Sequence, residues 1–154
     1  MKYYMQLPSF KMWAGEREGD IESQWRLFKS SIRRIDQAFS LTDLLWPNFI
    51  IWEGLLLRSA SLPEDIAGYI SEFRDKGFSD SQIEYAINHV HLADQFINDP
   101  DRDNVGNDAF LFLANSISEM WSCRLKDEFP DICLEIGVNE NEGDPEIFAL
   151  ISRR

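Results

Sequence analysis

The sequence predicts an α+β fold of about four helices packed on an antiparallel sheet built from two or more hairpins. Three observations predict it: stretches with apolar residues at helical spacing, paired short apolar runs around turn residues, and the segregation of these two kinds of segment along the chain. At 154 residues the chain fits one globular domain, 1–154, and a chain of that size buries roughly 68–70% of its unfolded surface. With 44% hydrophobic and 13% aromatic residues, it is too apolar for disorder and too often interrupted by charge for a membrane span.

The first predicted helix runs from about Asp20, a suitable N-cap, to Phe39, with Ile21, Trp25, Phe28, Ile32, Ile35 and Phe39 in one stripe. Beside that stripe, Arg26, Lys29 and Arg33 form a short basic one. The segment before it, Lys11–Gly15, reads as irregular with Trp13 exposed. Leu44–Ser59 contains Pro47 and is split by Glu53-Gly54 into two apolar runs, the pattern of a tight β-hairpin buried on both faces. A second helix is expected from Ser61, with Pro63 in its first turn, Glu64 three residues after the cap and Lys76-Gly77 at its end.

Ser79 and Gln82 then form a capping box, with Phe78 stapled onto Ile83, and open a third helix expected to reach Ile97. It is apolar around most of its circumference, with Glu84, Asn88, His91 and Gln95 as a polar stripe, and so is expected to be central. A fourth helix spans about Asp108–Asp127, with Asp108 as its cap and Phe110, Leu113, Ala114, Ile117, Met120, Trp121 and Leu125 inward. Ile132–Val138 and Pro145–Ser152 alternate and form a second hairpin.

Leu45-Trp46-Pro47 before a hairpin, Asn88-His89-Val90-His91-Leu92 on a central helix, and Phe129-Pro130-Asp131 before the last hairpin together resemble a family of small acidic bacterial proteins of unknown function. The resemblance covers Leu44 to the C-terminus and implies no activity.

Fifteen basic against 27 acidic side chains give a net charge of −12, which argues against nucleic-acid or anionic-membrane binding and favours a cationic partner. Residues 94–108 carry −4 and residues 127–154 carry −6, so one loop and the C-terminal third supply −10 of the −12. Met1–Phe10 lacks the apolar run of a signal peptide, and with two cysteines, Cys123 and Cys133, expected to be buried thiols, the reading is cytoplasmic.

His89 and His91 invite a metal reading, but two positions apart on a helix they point roughly 200° from each other and cannot share an ion; only a strand would bring them together. Asp94 falls among Ile83, Ile87 and Val90 on the apolar helical face. It is expected to be a carboxylate satisfied by backbone or Arg, or the sign that the helix bends before it; the functional alternative is a general base beside His91. Asp99, Asp101 and Asp103 have the spacing of a calcium loop, but Asn104 and Phe110 stand where that loop needs Gly and Glu. The aromatic residues, including Trp25, Trp46, Trp52 and Trp121, read as core. No nucleophile motif or phosphate-binding glycine loop occurs.

These features lead to an expected non-enzymatic protein-binding domain, without cofactor or resident metal. Asp99, Asp101, Asp103, Glu140, Glu142 and Asp144 would face a basic partner, as an immunity-type protein faces a cationic toxin. One alternative is a small enzyme or ligand-binding protein working through a polar site of Glu84, Asn88, His91 and Asp94 beside an aromatic pocket. Another is a homo-oligomer, for which exposed Leu27 would speak.

Overall fold

The computed structural model describes residues 7–15, 17, 19–32, 41–99, 102–141 and 143–153. Among these are six α-helices and two antiparallel sheets, one of two strands and one of three, an α+β fold. No helix of the described residues is long and apolar enough to cross a membrane.

Helix α1 (Pro8–Gly15) occupies the segment expected to be irregular. Its Phe10 is buried against Trp25 and Phe28 of α2 (Ile21–Ile32), with ring centroids 5.1 and 5.3 Å away. Trp13 is half-buried rather than exposed, because it packs on Phe28 and lies under the Arg17 guanidinium at 4.0 Å. Asp20 caps α2 as expected, accepting from the amides of Glu22 and Ser23 at 3.1 and 2.9 Å. Arg33, Ile35 and Phe39 lie outside the described residues.

A single turn, α3 (Thr42–Leu45), leads into strands β1 (Phe49–Trp52) and β2 (Leu55–Arg58). The two-residue turn is the one expected: Glu53 and Gly54 have φ of 46° and 79°, the left-handed pair that matches the twist of a tight hairpin. Only β2 is buried throughout its Leu55-Leu56-Leu57 run; β1 exposes Ile51, so the hairpin is not covered on both faces.

Helix α4 (Ile66–Asp75) starts later than the Ser61 signal suggests. Leu62 precedes Pro63 and is held extended at φ −96°, ψ 137°, as the proline ring demands. The cap passes to Asp65, whose carboxylate accepts from the Gly68 amide at 2.9 Å. Gly77, at φ 82°, ends the helix. Phe78 then packs on Phe73 with centroids 5.4 Å apart.

Helix α5 (Asp80–Asn88) opens with the predicted capping box, Ser79 and Gln82 bonding reciprocally at 2.9 and 3.4 Å. It does not reach Ile97. His89 turns extended at φ −68°, ψ 149°, and Val90–His91 form strand β3, followed by a 3₁₀ turn at Ala93–Phe96. Helix α6 (Asn107–Glu128) is capped at Gly106 rather than by Asp108, which sits in its first turn. Strands β4 (Leu134–Asn139) and β5 (Glu146–Ile151) form the second hairpin, and the sheet order is β3-β5-β4.

The reason for the break lies on the edge of β5. Glu146 and Ile147 pair with His91 and Val90 of β3, but beyond them β5 has no neighbouring strand on that side. Helix α5 supplies side chains instead. Asn88 donates to the carbonyls of Ala149 and Leu56, both at 2.7 Å, and accepts from the Arg58 amide at 2.8 Å. One turn earlier Glu84 accepts from the amides of Leu56 at 2.7 Å and Ile151 at 3.0 Å, and from both terminal nitrogens of Arg153. Glu84 and Asn88 are both fully buried, so the first two residues of the predicted polar stripe are in fact a joint between the two sheets, while His91 falls in β3 and Gln95 is exposed on the turn after it.

Around this joint, Phe110, Ala114, Ile117 and Trp121 of α6 pack against Val90, Ile147, Ala149 and Leu56. Leu55, Leu57, Ile70, Ile83 and Ile87 make a second buried cluster. The Trp121 indole donates to the Leu44 carbonyl at 2.7 Å. Met120, expected inward, is exposed, as is Trp46, which lies beneath Arg124 at 5.2 Å. Both cysteines are exposed and free rather than buried.

Glu84→Ala removes a buried charge and strands two backbone amides and Arg153, so it is expected to lower stability by about 3–5 kcal/mol. Urea denaturation compared with wild type measures this. A loss within experimental scatter would show that the joint is not needed.

Candidate functional site

The broken helix places both histidines of the chain on one side of an extended segment, because alternate side chains of a strand share a face. Val90 between them points into the core. The imidazoles of His89 and His91 adjoin, with centroids 5.1 Å apart and planes at 76°. This reverses the helical expectation that they point apart. The signal for it was present in His89-Val90-His91-Leu92, where polar and apolar residues alternate with the period of a strand.

Each ring is fixed by its Nδ1. His89 Nδ1 lies 2.8 Å from the Tyr85 carbonyl oxygen, and His91 Nδ1 lies 2.7 Å from Asp144 Oδ2. A carbonyl or carboxylate only accepts, so both Nδ1 atoms carry the proton and donate. Asp144 also accepts from the Ala93 amide at 3.1 Å through Oδ1, which ties the last hairpin loop to the segment after β3.

A second set of bonds adjoins the first. The Tyr85 hydroxyl donates to Glu146 Oε2, while Asn139 donates to that hydroxyl at 2.5 Å and Asn141 donates to Glu146 Oε1 at 2.7 Å. The Tyr85 ring stacks on His89 at 5.3 Å and meets Phe148 at 5.6 Å. Phe148 in turn lies across Gly137, where a Cβ would come within 3.0 Å of the ring. Nothing in the sequence marks Tyr85, Asn139 and Glu146 as a group, because their convergence depends on the pairing of Asn139 with Glu146 across the last hairpin and on the packing of α5 against it.

The electrostatics follow from these contacts. The hydrogen bond to Asp144, with the charges of Asp144, Glu146 and Asp94 adding to it, raises the His91 pKa above its usual value against a smaller opposing effect of burial. The Tyr85 bond holds the Glu146 carboxyl below its usual range. Burial, then Glu146 itself, pushes the Tyr85 hydroxyl up.

Of the predicted polar site, His91 alone keeps a candidate role. Glu84 and Asn88 belong to the inter-sheet joint, and Asp94 is exposed on the 3₁₀ turn rather than on an apolar face, because the helix has already ended. Of the predicted acidic surface, Asp99 and Glu140 are exposed and Asp144 is half-buried on His91. Asp101, Glu142 and the side chain of Asp103 lie outside the described residues. A cleft of about 230 Å³ is lined by Arg102, Val105, Asn107, Phe110 and Gly143, and neither His91 nor Asp94 borders it. Among the described residues, no group of three or more His, Cys, Asp or Glu side chains is arranged to hold a metal ion.

The chain matches no protein-family model, no curated protein and no solved structure. The chemistry of the site therefore carries the functional reading by itself.

A raised folded-state pKa means that the folded protein holds the His91 proton more tightly than the unfolded chain does. The resulting stability is fully present below the unfolded value of about 6.5 and is lost as pH rises through the higher folded value. Denaturation midpoints taken across that window in chelator-treated buffer are expected to fall with rising pH. Asp144→Asn should flatten the dependence, and an unchanged slope would remove Asp144 as its cause.

Proposed function

We propose that this protein is a binding domain that docks a basic partner on the acidic end of its three-stranded sheet, in the manner of an immunity-type protein facing a cationic toxin. The observation that carries this reading is a local imbalance of charge. Asp144 and Glu146 stand 2.7 and 3.8 Å from His91 Nδ1, Asp94 lies exposed on the turn just after β3, and Glu140 stands exposed one residue beyond Asn139 of the same network.

Among the described residues, none of these four carboxylates forms an ion pair with Lys or Arg; the Arg pairs lie elsewhere, at Arg74, Arg124 and Arg153. Of the basic stripe of the first predicted helix, Arg26 and Lys29 are engaged locally: Arg26 bonds Ser23, and Lys29 sits over the Trp25 ring at 5.6 Å. Carboxylates gathered around one imidazole, with no Lys or Arg paired to them, attract a cationic surface and speed its encounter. A reducing, cytoplasmic setting accords with two exposed free thiols.

The test is affinity capture at low and raised salt with wild type and with Asp94→Asn/Glu140→Gln, a pair outside the hydrogen-bonded network. A basic partner is expected to bind wild type, to weaken with salt, and to associate about two- to tenfold more slowly with the variant, a range typical of rim charges. A partner held equally by both proteins at every salt concentration would sink the reading.

Self-association is a second reading, favoured by Met12 and Leu27, which are 72% and 62% exposed on adjacent helices. Light scattering is expected to show a dimer that Leu27→Glu dissociates; a wild-type monomer at high concentration would dispose of it.

A further inference from the structure

We propose that His89 and His91 form a bidentate site for a divalent transition-metal ion of the copper and zinc type, with water completing the coordination. The site follows from the strand; it shares the carboxylates beside His91 with the docking reading but does not need that reading to hold.

Three observations converge on it. First, a carbonyl and a carboxylate hold the two Nδ1 atoms as donors, so each neutral ring has its lone pair on Nε2, where a metal binds. Such outer partners, a carboxylate on one ligating histidine and a backbone carbonyl on the other, set the tautomer and raise the basicity of the ligating nitrogen.

Second, the spacing suits a shared ion. With a metal–nitrogen bond of about 2.0–2.1 Å, an imidazole centroid lies about 3.2 Å from the ion, so two imidazoles hold their centroids about 4.5 Å apart when cis on a tetragonal centre and about 5.2 Å apart on a tetrahedral or tetrahedrally distorted one. The observed separation is 5.1 Å. The 76° between the ring planes is no obstacle, because coordination through Nε2 accepts any twist of a ring about its metal–nitrogen bond.

Third, Asp144 and Glu146 stand 2.7 and 3.8 Å from His91 Nδ1 and lower the free energy of a nearby dication without ligating it. Two imidazole ligands favour late first-row ions, and copper(II) should bind more tightly than zinc.

The full chain, stripped with chelator, is titrated with copper(II) alone by calorimetry and then studied by pulsed electron paramagnetic resonance, which counts bound imidazoles. One ion per chain with two imidazoles is expected, and zinc should bind more weakly. His89→Ala and His91→Ala should each lower affinity at least tenfold, Asp144→Asn about tenfold, and Asp94→Asn much less. Absence of saturable uptake, fewer than two imidazoles on the wild-type ion, or uptake unchanged by both histidine substitutions overturns the site. The resonance measurement needs no variant, so a misfolded variant leaves the test intact.

Discussion

Two polar side chains on one helix hold this structure together. A sheet edge exposes backbone donors and acceptors that must be matched once they are buried. Here the outer edge of β2 and the free end of β5 face each other with no strand between them. Glu84 and Asn88, one helical turn apart, take that strand's place. Between them they match the amides of Leu56, Arg58 and Ile151 and the carbonyls of Leu56 and Ala149. Arg153 compensates the buried carboxylate and also reaches the Gly54 carbonyl at 3.0 Å, so the chain's last described residue is tied to the turn of the first hairpin.

The same edge determines where the site lies. Read along β5, Ile151 is matched by Glu84, Ala149 by Asn88, and Ile147 and Glu146 by the backbone of Val90 and His91. Side chains of a helix give way to the main chain of a strand at His89, because only an extended backbone can continue the ladder. One consequence is that His89 and His91 share a face. Another is that the loop carrying Asp144 and the strand carrying Glu146 come against them, which produces a compact group of imidazoles, carboxylates and a phenol at the end of the sheet.

The charge of that group narrows its chemistry. Three carboxylates act on one imidazole, in a chain of net charge −12, so the site repels phosphates and favours cations, whether the side chains of a basic protein or a metal ion. The His91–Asp144 pair also serves the fold, since Asp144 bonds both the ring and the Ala93 amide. The proposed recognition and the anchoring of the last hairpin therefore involve the same carboxylate.

Several local signals in the sequence were reliable where neighbours in the chain decide the outcome, although the cap expected at Ser61 falls at Asp65 and that expected at Asp108 falls at Gly106. The Ser79/Gln82 box, the Asp20 cap, the Glu53-Gly54 turn and the α+β class all depend on contacts within a few residues or on the period of apolar positions. Signals failed where a distant segment decides. The apolar residues from Ile83 to Ile97 suit a helix, and the alternation at His89–Leu92 was too short to outweigh that pattern. The unmatched edge of β5, more than fifty residues later in the chain, is what ends the helix. The same long-range demand turned Glu84 and Asn88 from a surface stripe into buried structure, because a polar side chain is stable inside only when a partner is brought to it. The sequence by itself determined the fold class, the locally signalled elements and the total charge; the tertiary structure decided where the third helix ends and which carboxylates and imidazoles meet, since that depends on the pairing of distant segments and no local pattern encodes it.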